Sequence, residues 1–183
     1  MTPRRRLLIQ WLTLATCAGA ALPAAMASLM RAMDLAELTT GADQIVVGDV
    51  VATESAWDGE HRNIYSTIEI SVRESWKGSV PSDGRIRIRQ LGGTVGEIEM
   101  TVYGMARFTR GERALLFLRQ ARVVGMGQGK RRVQWDPGNK QWLADAPEER
   151  EVVAAGGGRS SHVGDAPEAL NQLRERVRAL VRN

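Results

Sequence analysis

Residues 64–73 read Ile64-Tyr65-Ser66-Thr67-Ile68-Glu69-Ile70-Ser71-Val72-Arg73 and alternate along almost their whole length between aliphatic and polar side chains. Successive side chains of a β-strand point to opposite faces of the sheet, so the aliphatic residues share one face and the polar residues the other. This stretch therefore predicts a strand with one buried face and one solvated face. It also sets the pattern that the neighbouring segments repeat.

Two segments after this strand carry the same alternation. Residues 84–90 set isoleucines against three arginines, and residues 97–102 set Ile98, Met100 and Val102 against polar residues. The loop 92–96, Gly-Gly-Thr-Val-Gly, lies between them. If it joins them as a hairpin, one register satisfies both faces, because the isoleucine row then meets the apolar row and the arginines meet acids. That register pairs Arg89 with Glu97 and Arg87 with Glu99.

Further strands are expected on both sides of this region. A β-branched run begins at Gln44, and the continuous apolar run Ala114-Leu115-Leu116-Phe117-Leu118 within residues 113–118 is typical of the central strand of a sheet. Residues 122–124, 130–135 and 140–143 complete the set, separated by glycine-rich and Asp-Pro-Gly-Asn turns. The fold class predicted is mainly β, a small antiparallel β-barrel spanning residues 44–143.

Helices are expected at both ends of this β domain, which we place at residues 28–143. Asp34 and Glu37 have the spacing of a capping box and predict a short helix. Residues 144–164 are rich in Ala, Gly, Glu and Ser and predict a flexible linker. Residues 165–183, opened by a second capping pair at Asp165 and Glu168, show an apolar stripe at helical spacing and predict a C-terminal amphipathic helix. Such helices usually dock on their own domain, and the sequence leaves open whether this one does.

The first 27 residues have the organisation of a secretory signal peptide. Three arginines at 4–6 precede a mostly apolar run at 7–22, and Ala25-Met26-Ala27 supplies the small residues that signal peptidase recognises. We expect cleavage after Ala27, a periplasmic or secreted protein, and no membrane span after cleavage. Cys17 stands in an imperfect lipobox, so a lipoprotein is the alternative.

Composition narrows the class of protein further. The signal segment holds three of the 25 basic residues and none of the 21 acidic ones, so residues 28–183 have 22 basic against 21 acidic residues and a net charge of +1. Near neutrality argues against nucleic acid as a partner, since phosphate binding uses a strong positive field. Cys17 is the single cysteine, which leaves residues 28–183 without a disulfide or a thiolate metal site.

No motif in the chain specifies catalysis, and we predict no catalytic residue, no metal ligand and no cofactor. Asp58, Glu60 and His61 fall in one loop and have side chains able to bind a divalent cation. A metal- or carboxylate-dependent hydrolase is therefore an alternative. It requires a further acidic or imidazole group to converge with these residues.

Two other features suggest binding. The arginines at 85, 87 and 89 form a ladder able to hold a polyanion, although Glu97 and Glu99 are expected to neutralise it. A polyanion-binding barrel is thus a second alternative. Four tryptophans, Trp57, Trp76, Trp135 and Trp142, stand at strand ends or turns, where they could be stacking platforms or close the mouth of a barrel.

Two stretches resemble a known family. Residues 70–78, Ile-Ser-Val-Arg-Glu-Ser-Trp-Lys-Gly, and residues 108–118, which begin Phe-Thr-Arg-Gly-Glu, are similar to structural elements of bacterial secreted netrin-like domains, and residues 34–133 resemble an uncharacterised secreted bacterial family carrying the 92–96 loop. The resemblance implies an oligonucleotide-binding-type barrel related to tissue inhibitors of metalloproteases. Those inhibitors use a cysteine-tied N-terminus, which residues 28–183 lack, so no inhibitory residue carries over.

Taken together, these features favour an exported, non-catalytic binding or accessory module of the cell envelope or extracellular space. Its partner is expected to be another exported protein. We place the candidate surface in the loops, because function on a rigid scaffold usually lies there. The candidate surface comprises the loops at 57–62, 92–96 and 103–110. The residues we single out in those loops are Trp57, Asp58, His61, Arg62, Thr94, Tyr103 and Phe108.

Overall fold

A computed structural model describes residues 32–145, 152–153, 159–160 and 166–182. The described chain is mainly β, with antiparallel strands and one helix near each end. The elements, in chain order, are α1 (Leu35–Gly41), β1 (Gln44–Trp57), β2 (Ile64–Lys77), β3 (Arg85–Leu91), β4 (Gly93–Val95), β5 (Ile98–Met100), β6 (Arg113–Arg119), β7 (Arg122–Val123), β8 (Lys130–Asp136), β9 (Gln141–Ala144), β10 (Val152–Val153), β11 (Arg159–Ser160), β12 (Glu168–Ala169) and α2 (Leu170–Arg182).

The main sheet has the strand order β12-β9-β8-β6-β1-β2-β3, with β7 paired to β6 as a short side branch. Every pairing in it is antiparallel. β6 lies in the middle of this order, and its residues 114–118 are fully buried, because a strand covered on both faces needs a continuous apolar run. The predicted central strand is therefore confirmed.

The pairing of β1 with β2 is interrupted at three places. Its register shifts between Ile45 and Val46, between Val47 and Gly48, and between Val50 and Ala52. At each shift one strand has one residue more than its partner, which is the pattern of a β-bulge, and bulges bend and twist a strand pair. The bend curls the sheet, so that β3 lies against β7 without pairing to it.

Each face of the curled sheet carries its own apolar cluster. On one face α1 and α2 cover the sheet, and the cluster there includes Leu38, Phe117 and Leu173. On the other face the sheet folds over itself around Ile68, Ile88 and neighbouring aliphatic residues. The alternation at 64–73 is confirmed, since its isoleucines are buried and the polar residues of the opposite face are at least partly exposed. Ser66 lies on the isoleucine face and is buried with them.

The sheet is not closed into a barrel, contrary to the prediction. β3 and β12 are its two edges, and no ladder joins them in the ranges that the structure describes. Closure requires pairing between the two edge strands, directly or through further strands. The segment expected to supply such a strand, residues 97–102, instead forms β5 and pairs with β4 as a separate two-stranded sheet.

The predicted hairpin between residues 84–90 and 97–102 is accordingly wrong. β3 pairs with β2, in a register that sets Ile88 opposite Ile68 and Arg87 opposite Glu69. The same physical match, isoleucine to isoleucine and arginine to acid, is thus made with the preceding strand. Glu97 falls in the turn between β4 and β5, and Glu99 opposes Thr94.

The two helices begin differently. Asp34 caps α1 as predicted, because its carboxylate accepts a hydrogen bond of 2.8 Å from the Glu37 N–H while the Asp34 N–H donates to the Glu37 carboxylate at 3.0 Å. The second capping pair does not open α2, since Glu168 lies in β12 and the helix begins at Leu170. α2 docks on the sheet through its own residues Leu170, Leu173 and Val177, which are buried in the apolar cluster.

Several predictions fall outside the described residues. These are the signal peptide at 1–27, Cys17, Asp165 and most of the linker at 144–164. Within the linker the structure describes β10 and β11, which pair antiparallel. Neither helix in the described ranges combines the length and the apolar character that crossing a membrane requires.

Candidate binding surface

The β4–β5 hairpin packs across the β1–β2 hairpin through close polar contacts. The Ser66 hydroxyl lies 2.9 Å from that of Ser55 and donates to the Gly92 carbonyl at 2.7 Å. Gly93 sits directly above them with a φ of +140°, and a Cβ there would fall 2.3 Å from the Ser66 hydroxyl. Glycine is required because both the conformation and the space exclude a side chain.

The loop 101–109 follows this hairpin and is held at its far end by side chains of other elements. The Gln90 amide donates to the Ala106 carbonyl at 2.9 Å, and Ala106 is almost fully buried. The Lys130 ammonium donates to the Arg107 carbonyl. A loop without regular structure is thereby anchored at two consecutive carbonyls.

A buried ion pair supports the same end of the loop. The Lys130 ammonium lies 2.8 Å from a Glu112 carboxylate oxygen, with side chains only 5% and 9% exposed. That same oxygen accepts a hydrogen bond of 2.9 Å from the Thr109 N–H, and Lys130 lies 4.9 Å from the centre of the Phe108 ring. Each charged group therefore bonds to the other and to a backbone group of the loop, which is the condition for burying such an ion pair.

Between the β4–β5 hairpin and this loop lies an open depression of about 420 Å³, which we call the loop groove. Thr94, Glu99, Met100, Met105 and Phe108 are among the residues that line it. Its floor comes from the halves of β1 and β2 that lie nearest to the turn between them. The groove therefore combines polar and apolar contacts on a fixed backbone.

Two large apolar side chains stand near the groove and face solvent. Tyr103, on the loop, is 95% exposed, and Ile98, on β5, is 56% exposed. In addition, the Gln90 side-chain oxygen in the lining is buried and has no hydrogen-bond partner among the described residues. Exposed aromatic and aliphatic residues beside a rigid groove are features of protein-binding surfaces.

The structure brings together only some of the predicted site residues. Thr94 and Phe108 line the loop groove, and Tyr103 belongs to the loop that borders it. The remaining four are not part of its lining: Trp57 ends β1, and Asp58, His61 and Arg62 follow in the β1–β2 turn.

The β1–β2 turn is organised by its own contacts. The Asp58 carboxylate accepts hydrogen bonds from the Arg62 N–H at 2.8 Å and the Asn63 amide at 2.9 Å, and these bonds, that from Arg62 first, hold the pKa of Asp58 below its ordinary value. His61 has a φ of +52° and stacks on Trp57 at 6.0 Å. Glu60 pairs with Arg62. The side chains considered as metal ligands are thus engaged within the turn.

No cluster of three or more His, Cys, Asp or Glu side chains able to hold a metal ion occurs among the described residues.

The arginine ladder of β3 also differs from expectation. Glu69 of β2 pairs with both Arg85 and Arg87, and its pKa is lowered chiefly by the hydrogen bond from Arg85. Arg89 lies over the Tyr65 ring at 4.2 Å. The neutralising acid is therefore Glu69, whereas the prediction named Glu97 and Glu99.

The sequence interpretation missed the residues that anchor the loop. Glu112 belongs to the Phe-x-x-Gly-Glu element, which was recognised only as a structural motif. Lys130 opens β8 and carries no local sign of burial, since lysine at a strand end is usually exposed. Its role depends on three residues far from it in sequence, which a local pattern does not reveal.

No family model, no curated protein and no solved structure matches this chain.

Proposed function

We propose that this protein is an exported, non-catalytic binding module and that the loop groove with Tyr103 and Ile98 is its surface for another exported protein. One observation carries the proposal: a loop without regular structure is fixed by Lys130 and Gln90 and yet presents Tyr103 almost wholly to solvent. A fixed loop loses little conformational entropy on binding, so an exposed aromatic residue on it is well suited to be an interface anchor.

The shape of the groove favours a protein over a small molecule. Sites for small molecules enclose most of the ligand surface, whereas the loop groove is open and has its largest exposed apolar groups beside it. The resemblance to netrin-like domains adds support, because the related inhibitors act by binding. The signal-like organisation of residues 1–27 supports export.

The surface is tested by site-specific photocrosslinking in the cells that make the protein. Benzoylphenylalanine replaces Tyr103 in one variant and Glu175, exposed on α2, in the control variant. We expect one protein to crosslink at position 103 and not at 175, and Ile98→Asp to abolish that crosslink. Met126→Asp, which changes an exposed methionine elsewhere, should leave it intact. Equal crosslinking at both positions, or no effect of Ile98→Asp, would refute the assignment.

Export is tested separately by the mass of the protein recovered from the envelope or the medium. We expect a chain that begins at residue 28, with Cys17→Ser having no effect on processing. Retention of residues 1–27, or loss of processing in Cys17→Ser, would contradict cleavage after Ala27, and the second result would indicate a lipoprotein.

A further inference from the structure

A second surface lies on the sheet face that α1 and α2 cover, beyond the end of the helices. Four side chains project there from four strands: Asp49 of β1, Arg113 of β6, Trp135 of β8 and Trp142 of β9. Each lies two residues along its strand from a member of the apolar cluster beneath the helices, so all four share that face. They line a depression of about 440 Å³, which we call the tryptophan groove.

The exposed rings of this groove are held in place by a chain of contacts. Asp49 accepts two hydrogen bonds from the Arg113 guanidinium, at 2.7 and 3.2 Å. That guanidinium lies 4.3 Å from the centre of the Trp142 ring, and Trp142 meets Trp135 at 5.4 Å with 64° between the ring planes. Ordered aromatic side chains lose little rotamer entropy when a ligand binds.

Two neighbouring indoles remain open to solvent despite these contacts. Trp135 is 49% exposed and Trp142 is 37% exposed, whereas Trp76 is only 9% exposed. A cross-strand indole pair stabilises a hairpin, which explains why the two rings touch. It does not explain why the pair is left uncovered beside a concave surface with polar groups in contact with it.

The charges of the groove select the kind of ligand. Both carboxylates in its lining are already paired, Asp49 with Arg113 and Arg73, and Glu112 with Lys130. A charged ligand would have to compete with these ion pairs, whereas a neutral ligand would not. A hydroxyl group both donates and accepts, so it can bind to either member of the Asp49–Arg113 pair without bringing a charge of its own.

We propose that the tryptophan groove binds a pyranose unit of a neutral glycan. The apolar C–H face of the sugar ring stacks in the corner between the two indoles, and its hydroxyls bond to Asp49 and Arg113. A proline-rich peptide would also stack on tryptophans, but it offers few groups for the adjacent charge pair. This site lies on the opposite face of the sheet from the loop groove and does not depend on the function proposed for it.

The test is titration of the purified protein with three neutral hexasaccharides: cellohexaose, N-acetylated chitohexaose and maltohexaose. Tryptophan fluorescence and calorimetry report binding. We expect saturable binding of at least one, weakened about tenfold or more by Trp135→Ala, since one stacked aromatic contributes on that order. Trp135→Tyr, which keeps an aromatic face, should restore part of the affinity.

Two controls separate binding from folding and from the loop groove. Trp57→Ala removes a tryptophan at the β1–β2 turn and should leave glycan affinity unchanged, as should Tyr103→Ala. Thermal unfolding of Trp135→Ala shows whether the variant is folded at the temperature of the titration, and Trp135→Tyr is the folded substitute if it is not.

Three results would overturn the proposal. The first is that none of the three hexasaccharides binds saturably, and the second is that the wild type and Trp135→Ala bind with equal affinity. The third is that decaproline or a heparin hexasaccharide binds saturably in this groove and the neutral sugars do not. The last would identify a peptide or a polyanion as the occupant.

Discussion

Gly48 lies where the β1–β2 hairpin bends, and its lack of a side chain is a packing requirement. A Cβ at this position would fall 2.5 Å from the Ile70 Cγ2 and 2.7 Å from the Ser71 carbonyl oxygen. The second contact is with backbone, which cannot rotate away. Because the side chain of glycine is a single hydrogen atom, the two strands can approach more closely at Gly48 than any other residue would allow.

We therefore expect Gly48→Ala to lower the free energy of unfolding by about 1–3 kcal/mol, the usual cost of overpacking a closed site. Chemical denaturation measures it. Gly59→Ala is the matched control, because a Cβ at Gly59 meets nothing within 4 Å. If both variants were equally stable, the close approach at Gly48 would not be a constraint in solution.

Asp49 is the second residue whose surroundings predict a measurable effect. The hydrogen bond from Arg113 holds its pKa below the ordinary value; burial opposes this, and Arg73 adds to the lowering. A lowered pKa in the folded state stabilises the fold at pH values above the ordinary aspartate pKa of about 3.9, and this contribution is lost as the pH falls through the lowered value.

Asp49→Asn should accordingly destabilise the protein by about 1–2 kcal/mol at pH 7, within the range for hydrogen bonds to charged groups that are partly solvated. The difference from the wild type should shrink as the pH falls from about 4 towards the lowered pKa of Asp49, because the wild-type carboxyl is protonated first in the unfolded chain and then in the folded protein. Urea unfolding at a series of pH values measures both. A difference that stayed constant down to the acid limit would contradict this account of Asp49.

At the scale of elements, the local sequence predicts which residues form a strand and which face each side chain takes. It does not predict which strands pair with each other. The alternation of β2 and of β3 predicts their two faces correctly, because side-chain direction depends only on residues two apart. The partner of β3 was predicted wrongly. Ile98 and Glu99 match β3 in residue type about as well as Ile68 and Glu69 do, so composition cannot separate them.

The backbone conformations of two glycines, which a hydrophobic pattern does not encode, decide between these partners. Gly92 and Gly93 have φ values of +101° and +140°, which turn the chain out of β3 and across β1. The candidate site follows the same rule. Thr94, Tyr103 and Phe108 could be singled out because they lie in loops between predicted strands, whereas the anchoring of the loop 101–109 by Lys130 joins residues distant in sequence.

The anchor itself yields an element-scale prediction. Lys130→Met should cost about 3–5 kcal/mol, because it leaves the buried Glu112 carboxylate without its counter-ion. The double variant with Glu112→Gln should recover part of the loss, and the loop 101–109 should be cleaved faster by protease in the single variant. Lys140→Met, at an exposed turn, should change stability by less than about 0.5 kcal/mol. An equal loss in the single and double variants would show that the ion pair is not coupled.

At the scale of the whole molecule, one curled sheet has two cores, and they are closed in different ways. The face around Ile68 and Ile88 is covered by the sheet folding on itself. The other face, around Phe117, is covered by two helices that come from opposite ends of the described chain. A sheet that is open at β3 and β12 therefore depends on α2 as much as on its own strands.

Leu173, fully buried at the centre of the contact between α2 and the sheet, is the residue that tests this dependence. Truncation to alanine removes buried methyl groups and leaves a cavity between elements far apart in sequence, so Leu173→Ala should lower the free energy of unfolding by about 2–5 kcal/mol. Val181→Ala, on the same helix but 40% exposed, should change it by less than about 0.5 kcal/mol. If α2 did not contribute to the stability of the sheet, Leu173→Ala would unfold the helix alone. The unfolding transition of the sheet would then keep its wild-type midpoint, as measured by the fluorescence of the tryptophans on its strands. If both cores form one cooperative unit, circular dichroism of the helix and that fluorescence will shift together to lower denaturant concentration.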